Sequence, residues 1–194
     1  MSAVFEVNVL TKKSIPYSSI EKILNNYLFG INSVKVMDDW EYNNYKDLDK
    51  IQLLSNIDRL LLNNKIILTH GYLDRLHSFG FIISMDSTNA FSSSFWISTE
   101  KIRMLDTDGI THENVCIYDI ITHIIIGNID KEDFILCGMG VETFMPSNLS
   151  TDELVHKSKN IYRWILNQNN EYDFLANYHK KTEGKYILYS LLSV

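Results

Sequence analysis

With 194 residues, 45% hydrophobic and 22% charged, the chain can bury roughly two-thirds of its unfolded surface, enough to fold without a disulfide or a metal. Its formal net charge of −6, with Lys and Arg scattered, leaves no basic face to displace counterions from phosphates, so nucleic acid is not an expected partner. No stretch approaches the ~20 apolar residues of a membrane helix, and the opening MSAVFEVNVLTKK has no basic n-region ahead of an apolar run; a cytoplasmic protein without a membrane partner is expected.

In chain order, VFEVNVL (4–10) sets Phe5, Val7 and Val9 against Glu6 and Asn8, the period of a strand. Ser18 and Glu21 have capping-box spacing, and Ile20, Ile23, Leu24, Tyr27 and Leu28 then share one helical face, with Gly30 at the C-cap position. INSVKVM (31–37) reads as a second strand. Ile51, Leu54, Ile57, Leu60 and Leu61 make an amphipathic helix over about 48–63, with Asp47 or Asp49 as its cap. KIILTH and FGFIISMDS read as strands, Asn89–Ser94 as a turn, SFWISTEKIRML (94–105) as a strand or two, and Asp106–Gly109 as a turn.

THENVCIYDIITHIIIGN suits two states. Its β-branched residues favour strand, while the spacing of Ile117, Ile120, Ile121 and Ile124 favours a helix capped by Thr111 and ended by Gly127–Asn128; helix is the reading adopted. DFILCGMGVETF (133–144) reads as a buried strand, bulged or closely approached at Gly138 and Gly140 and ended by Pro146. Ser150 and Glu153 form a second capping box, opening a helix of about 151–168 lined by Leu154, Ile161, Trp164 and Ile165. A short turn or helix then leads to a last strand, KYILYSLLSV. The expected fold class is α+β (mixed α/β), one domain over residues 1–194, with a single mixed β-sheet covered by amphipathic helices.

Motifs for chemistry are missing from this pattern. The eight glycines include neither G-x-x-x-x-G-K-[ST] nor G-x-G-x-x-G, and CGMGVE lacks the third glycine of the latter. The six histidines show no H-E-x-x-H or H-x-H pairing. Cys116 and Cys137 have no C-x-x-C or zinc spacing; with apolar neighbours, both are expected to be buried thiols in a reducing compartment. Ser92–Ser94 lack a G-x-S-x-G elbow, and the paired acids flank turns, where caps and solvated groups are expected. No catalytic residue, metal ligand or cofactor is assigned.

Charge distribution carries the remaining information. DDWEYNNYKDLD (38–49) interleaves acids with Trp40, Tyr42 and Tyr45, and residues 38–50 hold five acids against two lysines. Residues 106–119 hold four acids and no Lys or Arg. The bland reading is solvated acids with tyrosines packed back on the core. The sharper one is a face for a basic partner, with aromatics as anchors and acids steering association. Its candidate partner-binding residues are Asp38, Asp39, Trp40, Glu41, Tyr45, Asp106 and Asp108.

Size, acidity, an Asn- and Ile-rich composition of the kind AT-rich genomes encode, and the alternation VFEVNVL…SSIEKIL…INSVKVM with the late DFILCGMGVETF give the chain a style. It resembles the small cytoplasmic immunity proteins of bacterial polymorphic-toxin and contact-dependent-inhibition systems. The resemblance implies a non-enzymatic protein that binds one cognate toxin domain and occludes it, an acidic inhibitor being suited to a basic nuclease domain. Two alternatives stay open: an enzyme with an unrecognised site on an α/β scaffold, and a subunit of a homo-oligomer built through an apolar patch such as YILYSLLSV.

Overall fold

A computed structural model describes residues 3–27, 29–39, 44–73, 77–85, 90–100, 102–146, 149–168, 172 and 175–193; residues 50–55 and 103 are described for the backbone alone. Ten strands form one sheet: β1 (Val4–Thr11), β2 (Phe29–Met37), β3 (Tyr45–Asp47), β4 (Ile66–Leu73), β5 (His77–Met85), β6 (Phe91–Ser98), β7 (Phe134–Phe144), β8 (Lys159–Asn167), β9 (His179–Glu183) and β10 (Tyr186–Ser190). Four helices accompany them: α1 (Tyr17–Asn26), α2 (Lys50–Leu62), α3 (Val115–Asn128) and α4 (Thr151–Lys157). The fold is α+β and mostly sheet.

The strand order is β3-β2-β4-β5-β6-β1-β7-β8-β10-β9. The N-terminal strand is thus the seam between two runs, pairing with β6 on one side and β7 on the other. A mixed sheet was the expectation; instead every pairing of the named strands is antiparallel, and the parallel contact is one bridge, Ile110 to Leu192. The reason lies in the loops. β4, β5 and β6 follow one another through connections too short for a crossover, so each returns beside its predecessor.

Pleating sorts the side chains. Phe5, Val7 and Val9 of β1 oppose Ile97, Phe95 and Ser93 of β6, which oppose Phe79, Phe81 and Ile83 of β5. This face joins the larger core cluster, to which α1 contributes Tyr17, Ile20 and Leu24, α2 contributes Ile57 and Leu61, and α3 contributes Tyr118 and Ile125. The Tyr17 hydroxyl also meets Thr69 Oγ1 of β4 at 3.2 Å. A second cluster collects Leu10, Leu136, Trp164, Leu166, Ile187 and Tyr189, alternate positions of β1, β7, β8 and β10, with Leu154 and Val155 of α4.

Several local expectations change. α1 starts at Tyr17 after Pro16, whose carbonyl accepts from the Ser19 and Ile20 amides, so Ser18 lies inside the helix and caps nothing. Burial of Tyr17 draws it into the first turn. Gly30 belongs to β2, and Tyr27 is the C-cap. Phe91–Ser94 belong to β6, where Ser94 Oγ donates to Asn8 Oδ1 at 2.7 Å; small polar residues here pair across strands and do not turn the chain. The N-cap of α3 is Asn114, not Thr111.

The largest difference follows α4. The capping box is present, with Ser150 Oγ accepting from the Glu153 amide and Glu153 accepting from the Ser150 amide. The helix nonetheless ends at Lys157, and Ile161, Trp164 and Ile165 lie on β8. All six residues 161–166 are buried, because β8 has covered neighbours on both faces; a strand buried on both sides has no period to distinguish it from a helix. The bulge at Gly140 is real: pairing with β8 shifts register there, and a Cβ at Gly140 would overlap the Asn160 carbonyl oxygen. β9 completes a hairpin with β10 through Gly184–Lys185, Gly184 supplying the positive φ of 60° that a two-residue turn needs.

Candidate functional site

The acidic–aromatic segment leads into β3, an edge strand of the sheet whose residues Tyr45, Lys46 and Asp47 are all exposed. Its inner side pairs with β2, Lys35 opposite Asp47 and Met37 opposite Tyr45. Tyr45 is 57% exposed, and its ring carries the Lys35 ammonium 4.0 Å from the centroid. Asp38 is exposed and accepts from Lys65 Nζ at 2.8 Å. Asp39 is half-buried. Trp40, Glu41 and Tyr42 lie outside the described residues.

Two cations outside the segment, Lys35 just before it and Lys65 distant in sequence, thus offset this acidic edge. The composition of residues 38–50 alone does not reveal them.

Asp106 and Asp108 are exposed in a different place. Their loop is held from within by Asn114, which is fully buried: its Nδ2 donates to the Met104 carbonyl and Thr107 Oγ1, both at 3.0 Å, and its Oδ1 accepts from the Thr111 amide. Burial first, and then the negative charge of Asp108 and Asp106, pushes the nearby Tyr162 phenol of β8 up. β2 holds the second position in the sheet and β8 the eighth.

A third feature was not foreseen. Between α1, α3 and the face of β1, β5 and β6 lies an apolar cavity of about 340 Å³. Val7, Phe81, Phe95 and Ile97 form its floor, Ile20, Ile23 and Leu24 one wall, and Ile117, Ile121 and Ile124 the other. No charged residue lines it among the described residues. The available signal was α3 itself. Its buried residues Tyr118, Thr122 and Ile125 face the core, yet Ile117, Ile120, Ile121 and Ile124 make a second apolar stripe, and Ile120 is 48% exposed. A helix with a second apolar stripe beside its core-facing one normally has that stripe covered too.

Other reactive groups have structural partners. Arg163 of β8 is 4% exposed and donates from Nη1 to Asp119 Oδ1 (2.6 Å) and Thr122 Oγ1 (3.2 Å), and from Nε to Ser190 Oγ (3.1 Å), fastening α3 to the sheet. Cys137 is fully buried and burial pushes its thiol up, the opposite of what a nucleophile needs; Cys116, expected to be buried, is exposed. Among the described residues, no group of three or more His, Cys, Asp and Glu is placed to hold a metal, and no helix is long and apolar enough to cross a membrane.

Compared with models of known families, with curated proteins and with solved structures, the chain matches none.

Proposed function

We propose that this protein is a cytoplasmic, non-enzymatic immunity protein that neutralises a cognate bacterial toxin domain by binding and occluding it. The observation that carries the reading is the β3 edge. An edge strand presents backbone N–H and C=O groups to whatever approaches it, and this one is fully exposed and flanked by carboxylates. Tyr45 is a rigid amphipathic anchor of the kind that dominates interface energetics, and Asp38 and Asp47 lie beside it. Because Lys35 and Lys65 temper the local charge, the partner is read as a domain with a mixed, net basic surface, such as a nuclease groove. Asp106 and Asp108 belong to a separate loop near Tyr162 of β8 and are not included in this contact.

The test is affinity for the toxin domain encoded beside this gene, measured against salt. Asp38→Lys with Asp39→Lys, and separately Tyr45→Ala, are each expected to weaken binding by about tenfold or more, since each interface anchor contributes above ~1.4 kcal/mol. Asp106→Lys with Asp108→Lys should leave it within about twofold. Unchanged affinity and salt dependence in the first two variants would refute the reading.

A further inference from the structure

We propose that the cavity between α1, α3 and the sheet is a binding site for a neutral, largely apolar small molecule bearing one hydroxyl or carbonyl group. Ser93 sits in the middle of the floor strand β6, opposite Val9 of β1 and Ile83 of β5, and shares its face with Phe95 and Ile97. It is 2% exposed, and its Oγ has no hydrogen-bond partner. A buried hydroxyl without a partner is uncommon, because it forfeits its hydrogen bond to water. A lone water is a poor remedy in this cavity, since it needs two to four polar partners and the surroundings are aliphatic and aromatic. Ser93 Oγ is almost closed off, so a ligand with a single polar group satisfies it once a neighbouring side chain gives way, and fills the remainder.

Size and charge narrow the ligand. An apolar cavity of about 150 Å³ holds benzene, so ~340 Å³ suits a molecule of about twice that bulk. Among the described residues no Lys, Arg or His lines the cavity, so the lining favours a neutral ligand over a carboxylate or phosphate. The mouth is bordered by Tyr27 and Ile120, 44% and 48% exposed, which leaves a route from solvent. Ile120 and its neighbours then have a covering partner that the other described residues do not supply.

The experiment titrates the full-length protein with 1-naphthol and with naphthalene, followed by fluorescence and by isoleucine-methyl NMR. Saturable one-to-one binding is expected for both, with shifts confined to isoleucines of the cavity such as Ile20, Ile121 and Ile124. The hydroxyl should favour 1-naphthol by about fivefold, the factor one neutral hydrogen bond supplies. Ser93→Ala, which removes an unpaired hydroxyl and so retains the fold, should abolish that preference without weakening naphthalene. Ile124→Trp, which extends that wall across the cavity, should block both. Absence of saturable binding to the folded protein, shifts elsewhere, or an unchanged preference in Ser93→Ala would overturn the proposal. So would a dimer in solution that the probes do not disturb, which would assign the apolar mouth to a second copy.

Discussion

The Arg163 cluster allows a prediction in which the two halves of one ion pair behave differently. Arg163 has a side chain 5% exposed, whereas that of Asp119 is 53% exposed. Replacing Asp119 with Ala leaves a guanidinium buried without its carboxylate. Removing one partner of a fully buried pair costs ~3–5 kcal/mol; because Asp119 is half in water, solvent can enter its place, and about 2–3 kcal/mol is expected. Replacing Arg163 with Met gives up the guanidinium over the Tyr118 ring, keeps an apolar side chain of similar length and returns Asp119 to water. That variant gives up charge-assisted hydrogen bonds worth ~1.5–3 kcal/mol but removes the cost of burying a cation, so the net loss should be about 1 kcal/mol or less. Urea unfolding of both variants, at constant slope, measures the difference. An Arg163→Met variant less stable than Asp119→Ala would refute the reasoning, because it would mean that the buried cation is a net stabiliser.

Three further outcomes follow from local geometry. Gly140→Ala places a methyl group on the Asn160 carbonyl at the β7 bulge and should cost about 2–4 kcal/mol, lowering Tm by roughly 5–15 °C; an unchanged Tm would show that the bulge relaxes freely. Ser150→Ala removes half of the α4 capping box and should cost ~1 kcal/mol, with Ser150→Gly losing only a few tenths, both read from urea midpoints. His70 has its pKa lowered below 6.5, by burial first and by the charge of Lys35 second. Its folded form therefore resists protonation, so stability is unaffected above pH 6.5 and falls as pH drops from 6.5 towards the lower folded value. His70→Asn should flatten the stability profile between pH 7 and 5, and identical wild-type and variant slopes would rule His70 out as the cause.

Most elements were legible where one side of the chain is wet. β1 alternates because one of its faces opposes polar neighbours such as Ser94 and Thr143, and α4 announces its start through Ser150 and Glu153, both local in sequence. Legibility failed where burial is two-sided or where pairing decides. β8 is buried throughout Ile161–Leu166 and carries no period, and β9 is almost wholly exposed and exists only because β10 pairs with it. Of the candidate contact residues, the sequence placed Tyr45 and the neighbouring acids in one segment, but it could not show Lys35 over the Tyr45 ring or Lys65 on Asp38.

Composition-level properties are readable from the residues alone: a chain able to bury a core, a net negative charge, cysteines without metal spacing, and the α+β character written in its period-two and helical patterns. Which strands meet was settled by long-range pairing. Register across β1, β5 and β6 set Ser93 among Val9, Ile83 and Phe95, and the stand of α3 over that face left a cavity at its second isoleucine stripe. The physical reason is that periodicity reports the direction of a side chain relative to its own backbone, whereas a site is made by partners brought together from residues 5, 93 and 121, whose proximity no local interaction encodes.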